Sequence, residues 1–174
     1  MKYLNIGLLA LVLLFLGMTD DPGFSGSWTY EAEGSTAIDP WRRLSMEIDR
    51  DGDAVILKRI WRGSREGGTA VDSAYVVPGG PAALVPLEQW PDNRHLGAYL
   101  AGDSTKTVTA HWDDEQRTLI TESHLTVSIQ QGTRHIRIYT EYRLSPDGNR
   151  LDVLELRSTR PKPIHYIFRR ADDA

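Results

Sequence analysis

"LITESHLTVSIQQGTRHIRIYTEYRL", residues 119–144, alternates apolar and polar side chains on either side of Gln-Gln-Gly. Period-two alternation puts successive side chains on opposite faces of an extended chain, so the stretch reads as two strands of a hairpin. With Gln131-Gly132 as the turn, Val127 opposes Ile136, Leu125 opposes Ile138 and Leu119 opposes Leu144, and one face is apolar throughout. The other face pairs Ser128 with His135, Thr126 with Arg137, His124 with Tyr139 and Glu122 with Glu141. That is the pattern of a half-buried antiparallel sheet.

The same pattern extends in both directions. In "LSMEIDRDGDAVILKRIW" (44–61), Asp51-Gly52 suits a two-residue turn that needs positive φ at both positions. That turn sets Ile48 against Val55 and Met46 against Leu57, with Ser45, Glu47 and Lys58 on the opposite face. Further strands are predicted at 69–77, 106–112, 151–158 and 164–170, with turns in "WDDEQR" and "SPDGN". No window beyond residue 24 combines helical periodicity with capping. The expected fold is all-β, an antiparallel barrel or half-barrel of about 8–10 strands filling a single domain over 24–170. Its one long interruption is the proline-rich segment 78–97.

The 174 residues and 40% hydrophobic content suffice for one packed core. The start, "MKYLNIGLLALVLLFLGMTDD", has one lysine and then a wholly apolar run from Leu8 to Leu16, the shape of a secretory signal helix over 1–19. Tyr3 to Met18 is shorter than the roughly 20 residues of a spanning helix. With no clean small-x-small cleavage site, an uncleaved N-terminal anchor is the alternative. The expected destination is the periplasm, the cell surface or the medium, with no membrane span once the signal is removed. Cysteine is absent, which excludes disulfides, thiolate chemistry and a lipidated N-terminal cysteine. The net charge of −4 becomes −5 without residues 1–19, which contain Lys2 as their one charge. Nucleic acid is therefore not an expected partner, although "RSTRPKP" (157–163) is locally basic.

Two groups of residues could carry function. Pairing 106–112 with 118–124 so that Trp112 faces Leu119 brings His111 diagonal to Glu122, on the face that also holds His124, Tyr139 and Glu141. Imidazoles with carboxylates could bind a metal or divide acid and base roles; Arg137 and Arg143 on the same face favour an ordinary charged surface instead. Trp61, Tyr75, Trp90 and Tyr99 flank the 78–97 segment and could line an apolar ligand pocket. "DRDGD" lacks the glycine and distant glutamate of a calcium loop, and no phosphate loop, dinucleotide fingerprint, nucleophile elbow or His-Glu-x-x-His occurs, so no cofactor is expected.

"FSGSW" (24–28), "AHWDDEQRTLITE" (110–122) and "YRLSPDGNRLDV" (142–153), behind an export-type N-terminus, resemble small bacterial exported proteins described as lipocalin-like. The similarity runs in patches from about Phe24 to Arg169. It implies a calycin-type barrel in which Gly26 and Trp28 form the Gly-x-Trp of the first strand. Trp28 would close one end against a basic residue of the last strand, Arg169 or Arg170. The implied function is non-enzymatic binding of a small apolar or amphipathic ligand. The alternatives are an envelope domain that binds another protein, and an enzyme built on His111, Glu122, His124 and Glu141.

Overall fold

The computed structural model describes residues 23–63, 68–87, 105–113, 117–129 and 132–171. Ten strands follow in order: β1 (Gly26–Glu31), β2 (Arg43–Asp51), β3 (Ala54–Arg62), β4 (Thr69–Val76), β5 (Ala83–Pro86), β6 (Thr105–Asp113), β7 (Thr118–Ile129), β8 (Gly132–Leu144), β9 (Arg150–Arg157) and β10 (Ile164–Arg170). They form one antiparallel sheet in the order β4-β3-β2-β1-β10-β9-β8-β7-β6-β5. Because β1 pairs with β10, the sheet curls into a barrel broken at one seam, between β4 and β5. Gly79 N–H donates to the Ala110 carbonyl at 2.8 Å and bridges the seam where the β4–β5 connection turns. The expected signal helix lies outside the described residues, among which no helix is long and apolar enough to cross a membrane.

The alternation read from the sequence is the alternation of the barrel wall. Leu44, Met46 and Ile48 of β2 face inward and are buried, as are Val55, Leu57 and Trp61 of β3, Leu119, Leu125 and Val127 of β7, and Leu151 and Val153 of β9. Each buried aliphatic or aromatic side chain of this kind stabilises the fold by about 1.5–3 kcal/mol.

Both predicted hairpins are present, each displaced by two residues. Asp51 pairs with Ala54, which leaves Gly52-Asp53 as the turn, with Gly52 at φ +59°; Ile48 then faces Leu57 and Met46 faces Arg59. In the longer hairpin Ile129 pairs with Gly132, Leu125 with Ile136 and Leu119 with Tyr142. A displacement of two keeps every side chain on its expected face. Trp112 does oppose Leu119 across the β6–β7 turn. Within the long segment 78–97, residues 83–86 form β5, paired with β6; the segment was not expected to hold a strand, and its proline spacing still leaves room for four residues at a sheet edge.

The barrel has two different ends. One holds the turns 51–54, 77–82, 113–118 and 145–149 together with Phe24 and Trp28; it is the closed end. The other, the rim end, holds the connections 32–42 and 158–163, and Ile38 and Trp41 of the first pack onto the main core. The main core runs from Phe24 and Trp28 up to Trp61 and Tyr166. A second, smaller core of Leu87, Leu125, Val127, Ile136 and Ile138 lies toward the rim end.

Candidate functional site

At the closed end Trp28 is fully buried and its indole Nε1–H donates to the Phe24 carbonyl at 3.1 Å. The Arg170 guanidinium lies over the Trp28 ring, 4.3 Å from its centroid, and donates to the Gly148 carbonyl at 3.0 Å, the Ser25 carbonyl at 2.8 Å and the Gly23 carbonyl. Gly26 permits this approach: a Cβ there would stand 2.7 Å from Arg170 Nη1, and its φ of +132° disfavours any side chain. Phe24 packs edge-on against Trp112, whose ring carries Arg50 at 5.1 Å. The basic partner of Trp28 is thus Arg170, not Arg169. Inward positions on β10 are 164, 166, 168 and 170, so Arg169 faces out, where its Nε donates to Glu31 at 2.7 Å.

Between the main core and the rim end a layer of inward positions is charged. Arg59, Asp72, Lys106, Glu155 and Arg157 all occupy the apolar parity of their strands. Arg59 donates to Glu155 at 2.6 Å and to Asp72 at 2.9 Å; Lys106 donates to Asp72 and Arg157 to Glu155. Burial alone would push the Glu155 carboxyl up, but Arg157 and Arg59 outweigh it and hold it at about 2. Burial acts on Asp72 in the same way, and Lys106 with Arg59 again prevails and lowers it. The Tyr142 hydroxyl beside them is pushed up by burial and stays neutral. Among the described residues three cations and two carboxylates thus meet in a region where an unmatched charge is costly, and Arg157 has a further interaction besides Glu155.

These groups surround an internal cavity of about 30 Å3. Leu57, Ala74 and Val108 from the main core and Leu87, Leu125 and Ile138 from the second core complete its wall, with Thr121, Ser123 and Thr140 adding hydroxyls. The volume is that of about one water, so the barrel's own side chains fill most of the lumen. The layer combines cations, hydroxyl donors and apolar walls, which are the contacts an acidic group on an apolar body would make.

Of the four residues of the expected aromatic pocket, Trp61 and Tyr75 lie among the described residues. Trp61 is inward and 2% exposed, with Arg59 5.3 Å from its ring centroid. Tyr75, one residue out of inward parity on β4, is 50% exposed on the outer wall, so the two rings do not share a cavity. Trp90 and Tyr99 lie outside the described residues.

The His/Glu patch lies on the outer wall. Glu122 faces Tyr139 and not Glu141, because of the two-residue displacement. Its carboxylate accepts from Arg137 and lies 2.7 Å from His124 Nε2, and those two hydrogen bonds hold it at about 2. Glu141 accepts from the Tyr139 hydroxyl at 2.9 Å and from Arg143 at 3.3 Å. His111 is exposed on β6. Among the described residues no group of three His, Asp or Glu is placed to hold a metal. The four residues share a wall but do not converge in a concavity.

The sequence reading missed the interior charges, although they carried a signal: Arg59 in the series 55-57-59-61 and Lys106 in 106-108-110-112 interrupt an otherwise apolar or aromatic parity. No protein-family model matches the chain, and no curated protein matches it.

Proposed function

We propose that the chain is an exported lipocalin-like barrel that binds a small amphipathic molecule, with an acidic group held among Arg59, Lys106 and Arg157. The observation that carries this reading is a layer of cations and hydroxyls lining an internal cavity whose other walls are apolar. The acidic group of a ligand would accept hydrogen bonds from that layer, and its apolar part would lie along Leu57, Val108, Leu125 and Ile138. A purely apolar ligand is disfavoured, because it would leave the charged layer unmatched. Since the cavity holds about one water, a larger guest has to part the wall at the second core, where Leu87 faces Leu125 and Ile138.

The test is a titration with 8-anilinonaphthalene-1-sulfonate, an aromatic sulfonate that fluoresces when buried, alongside native mass spectrometry of the protein from an exporting host. Saturable one-to-one binding, weakened about tenfold in Lys106→Met by loss of a charge-assisted contact, supports the reading. Non-saturable binding and a bare protein mass would reject it. The same mass shows whether residues 1–19 are removed or kept as an anchor.

A second reading has its own observation. The seam strands β4 and β5 are the two free edges of the sheet, and Tyr75, Val77 and Leu84 stand exposed beside it. Free edges with apolar neighbours are suited to strand addition by a protein partner. Cross-linking that maps to 69–86 in the exporting host would favour this reading.

A further inference from the structure

Cations on the outer wall stand beside carboxylates: Lys58 with Glu47, Arg137 with Glu122, Arg143 with Glu141, Arg150 with Asp152 and Arg169 with Glu31. At the closed end Arg50 and Arg170 cover tryptophan rings, and Arg117 donates to main-chain carbonyls at the end of β8. The rim end is different. Arg42 and Arg43 lead into β2, Arg62 ends β3, Arg134 lies near the start of β8, and Lys162 lies in the β9–β10 connection; all five are exposed. Among the described residues no carboxylate forms an ion pair with any of them. Arg43 and Arg62 are moreover direct partners in the β2–β3 register, and like charges at opposed positions destabilise a sheet. The described connections at this end contribute Glu33 and Asp39 as their acids.

We propose that the rim end docks on an anionic lipid surface. The five charges come from β2–β3, from β8 and from the β9–β10 connection, all at the same end of the barrel. A protein interface needs an apolar centre, and single-stranded nucleic acid needs exposed rings for stacking. The exposed large apolar side chains of the described residues are Tyr75, Val77, Leu84 and Leu156, all on or beside wall strands and none in the rim connections. Point charges that, among the described residues, have neither a carboxylate partner nor an apolar centre match a surface whose negative charge is spread evenly. The net charge of −4 leaves the rest of the molecule repelled, which confines attraction to this end and fixes the orientation.

The experiment is partition of the full chain onto phosphatidylcholine vesicles with and without one quarter phosphatidylglycerol, at low salt. Any contribution of the apolar residues 3–18 is common to both vesicles and cancels in the ratio. Each rim charge is worth about fivefold, so the ratio is expected to exceed about a hundredfold, and to collapse in half-molar salt. R43Q/R62Q/R134Q/K162Q brings it close to one, whereas K58Q/R143Q/R150Q/R169Q, with the same change in net charge on the wall, retains it. Should the fourfold rim variant fold poorly, R43Q and R134Q alone are each expected to lose about fivefold. A wild-type ratio near one, or equal loss in rim and wall variants, overturns the proposal. Rim-dependent binding to a short DNA duplex as tight as to the anionic vesicles also overturns it, in favour of a nucleic acid. The lumen takes no part in this assay, so failure of ligand binding leaves its outcome unaffected.

Discussion

Gly26 and Arg170 act as one unit. The guanidinium covers Trp28 and serves three main-chain carbonyls, and it can do so because no side chain stands 2.7 Å from its Nη1. Removing Arg170 forfeits a cation–π contact and charge-assisted hydrogen bonds, together about 2–4 kcal/mol. Gly26→Ala is expected to displace the same guanidinium and to lose most of the same energy. The urea unfolding midpoints of Gly26→Ala, Arg170→Ala and the double variant check this, because the double variant should cost little more than either single one. Full additivity would mean that the two residues act separately. In the interior layer charge matching sets the order of severity. Glu155→Gln takes the buried carboxylate from both Arg59 and Arg157 and is expected to cost about 3–5 kcal/mol. Lys106→Met keeps the volume, leaves Asp72 its bond from Arg59, and is expected to cost clearly less in the same unfolding experiment.

Among the elements, β4 and β5 are the ones the barrel holds least firmly. Each pairs on one side only, and β5 has four residues. Their seam-facing amides are expected to exchange with deuterium an order of magnitude or more faster than those of β8, which is paired on both sides. Equal protection would mean that the seam is closed by bonds like those of the wall. Most of the elements were legible in the sequence because burial on one side of a strand leaves a period-two trace. Register was less so. A two-residue slip exchanges one inward side chain for the next, so the apolar pattern of 119–144 fits Leu125 against Ile138 as well as Leu125 against Ile136. The turn had to decide, and Asp51-Gly52 and Gly52-Asp53 both place glycine where positive φ is needed. That slip is also why a Glu122–Glu141 pair was expected and a Glu122–Arg137 pair is found. β5 left little trace, since four residues ending in Pro86 are too few to show a period.

On the scale of the whole molecule, the interior layer makes folding depend on acid. Glu155 and Asp72 both titrate below their ordinary range in the folded barrel, so the unfolded chain takes up protons first as pH falls. Their contribution is complete above about pH 5 and is lost as pH drops from about 4.5 toward 2, the value at which Glu155 is held. A depression from 4.5 to about 2 corresponds to on the order of 3 kcal/mol for Glu155 alone. The melting temperature is therefore expected to be nearly level from pH 8 to 5 and to fall steeply between 4.5 and 2. Raising the salt concentration should leave that fall in place, because buried pairs are poorly screened, whereas it should remove any share owed to Glu122 on the outer wall. Glu155→Gln supplies the control: less stable than the wild type at pH 7, it should have a shallower acid slope, and the two curves should converge near pH 2. Parallel curves would place the acid-sensitive groups elsewhere. Convergence would tie the stability of the barrel to the same layer that is proposed to receive a ligand, and an anion bound there should then raise the melting temperature at pH 7 as well.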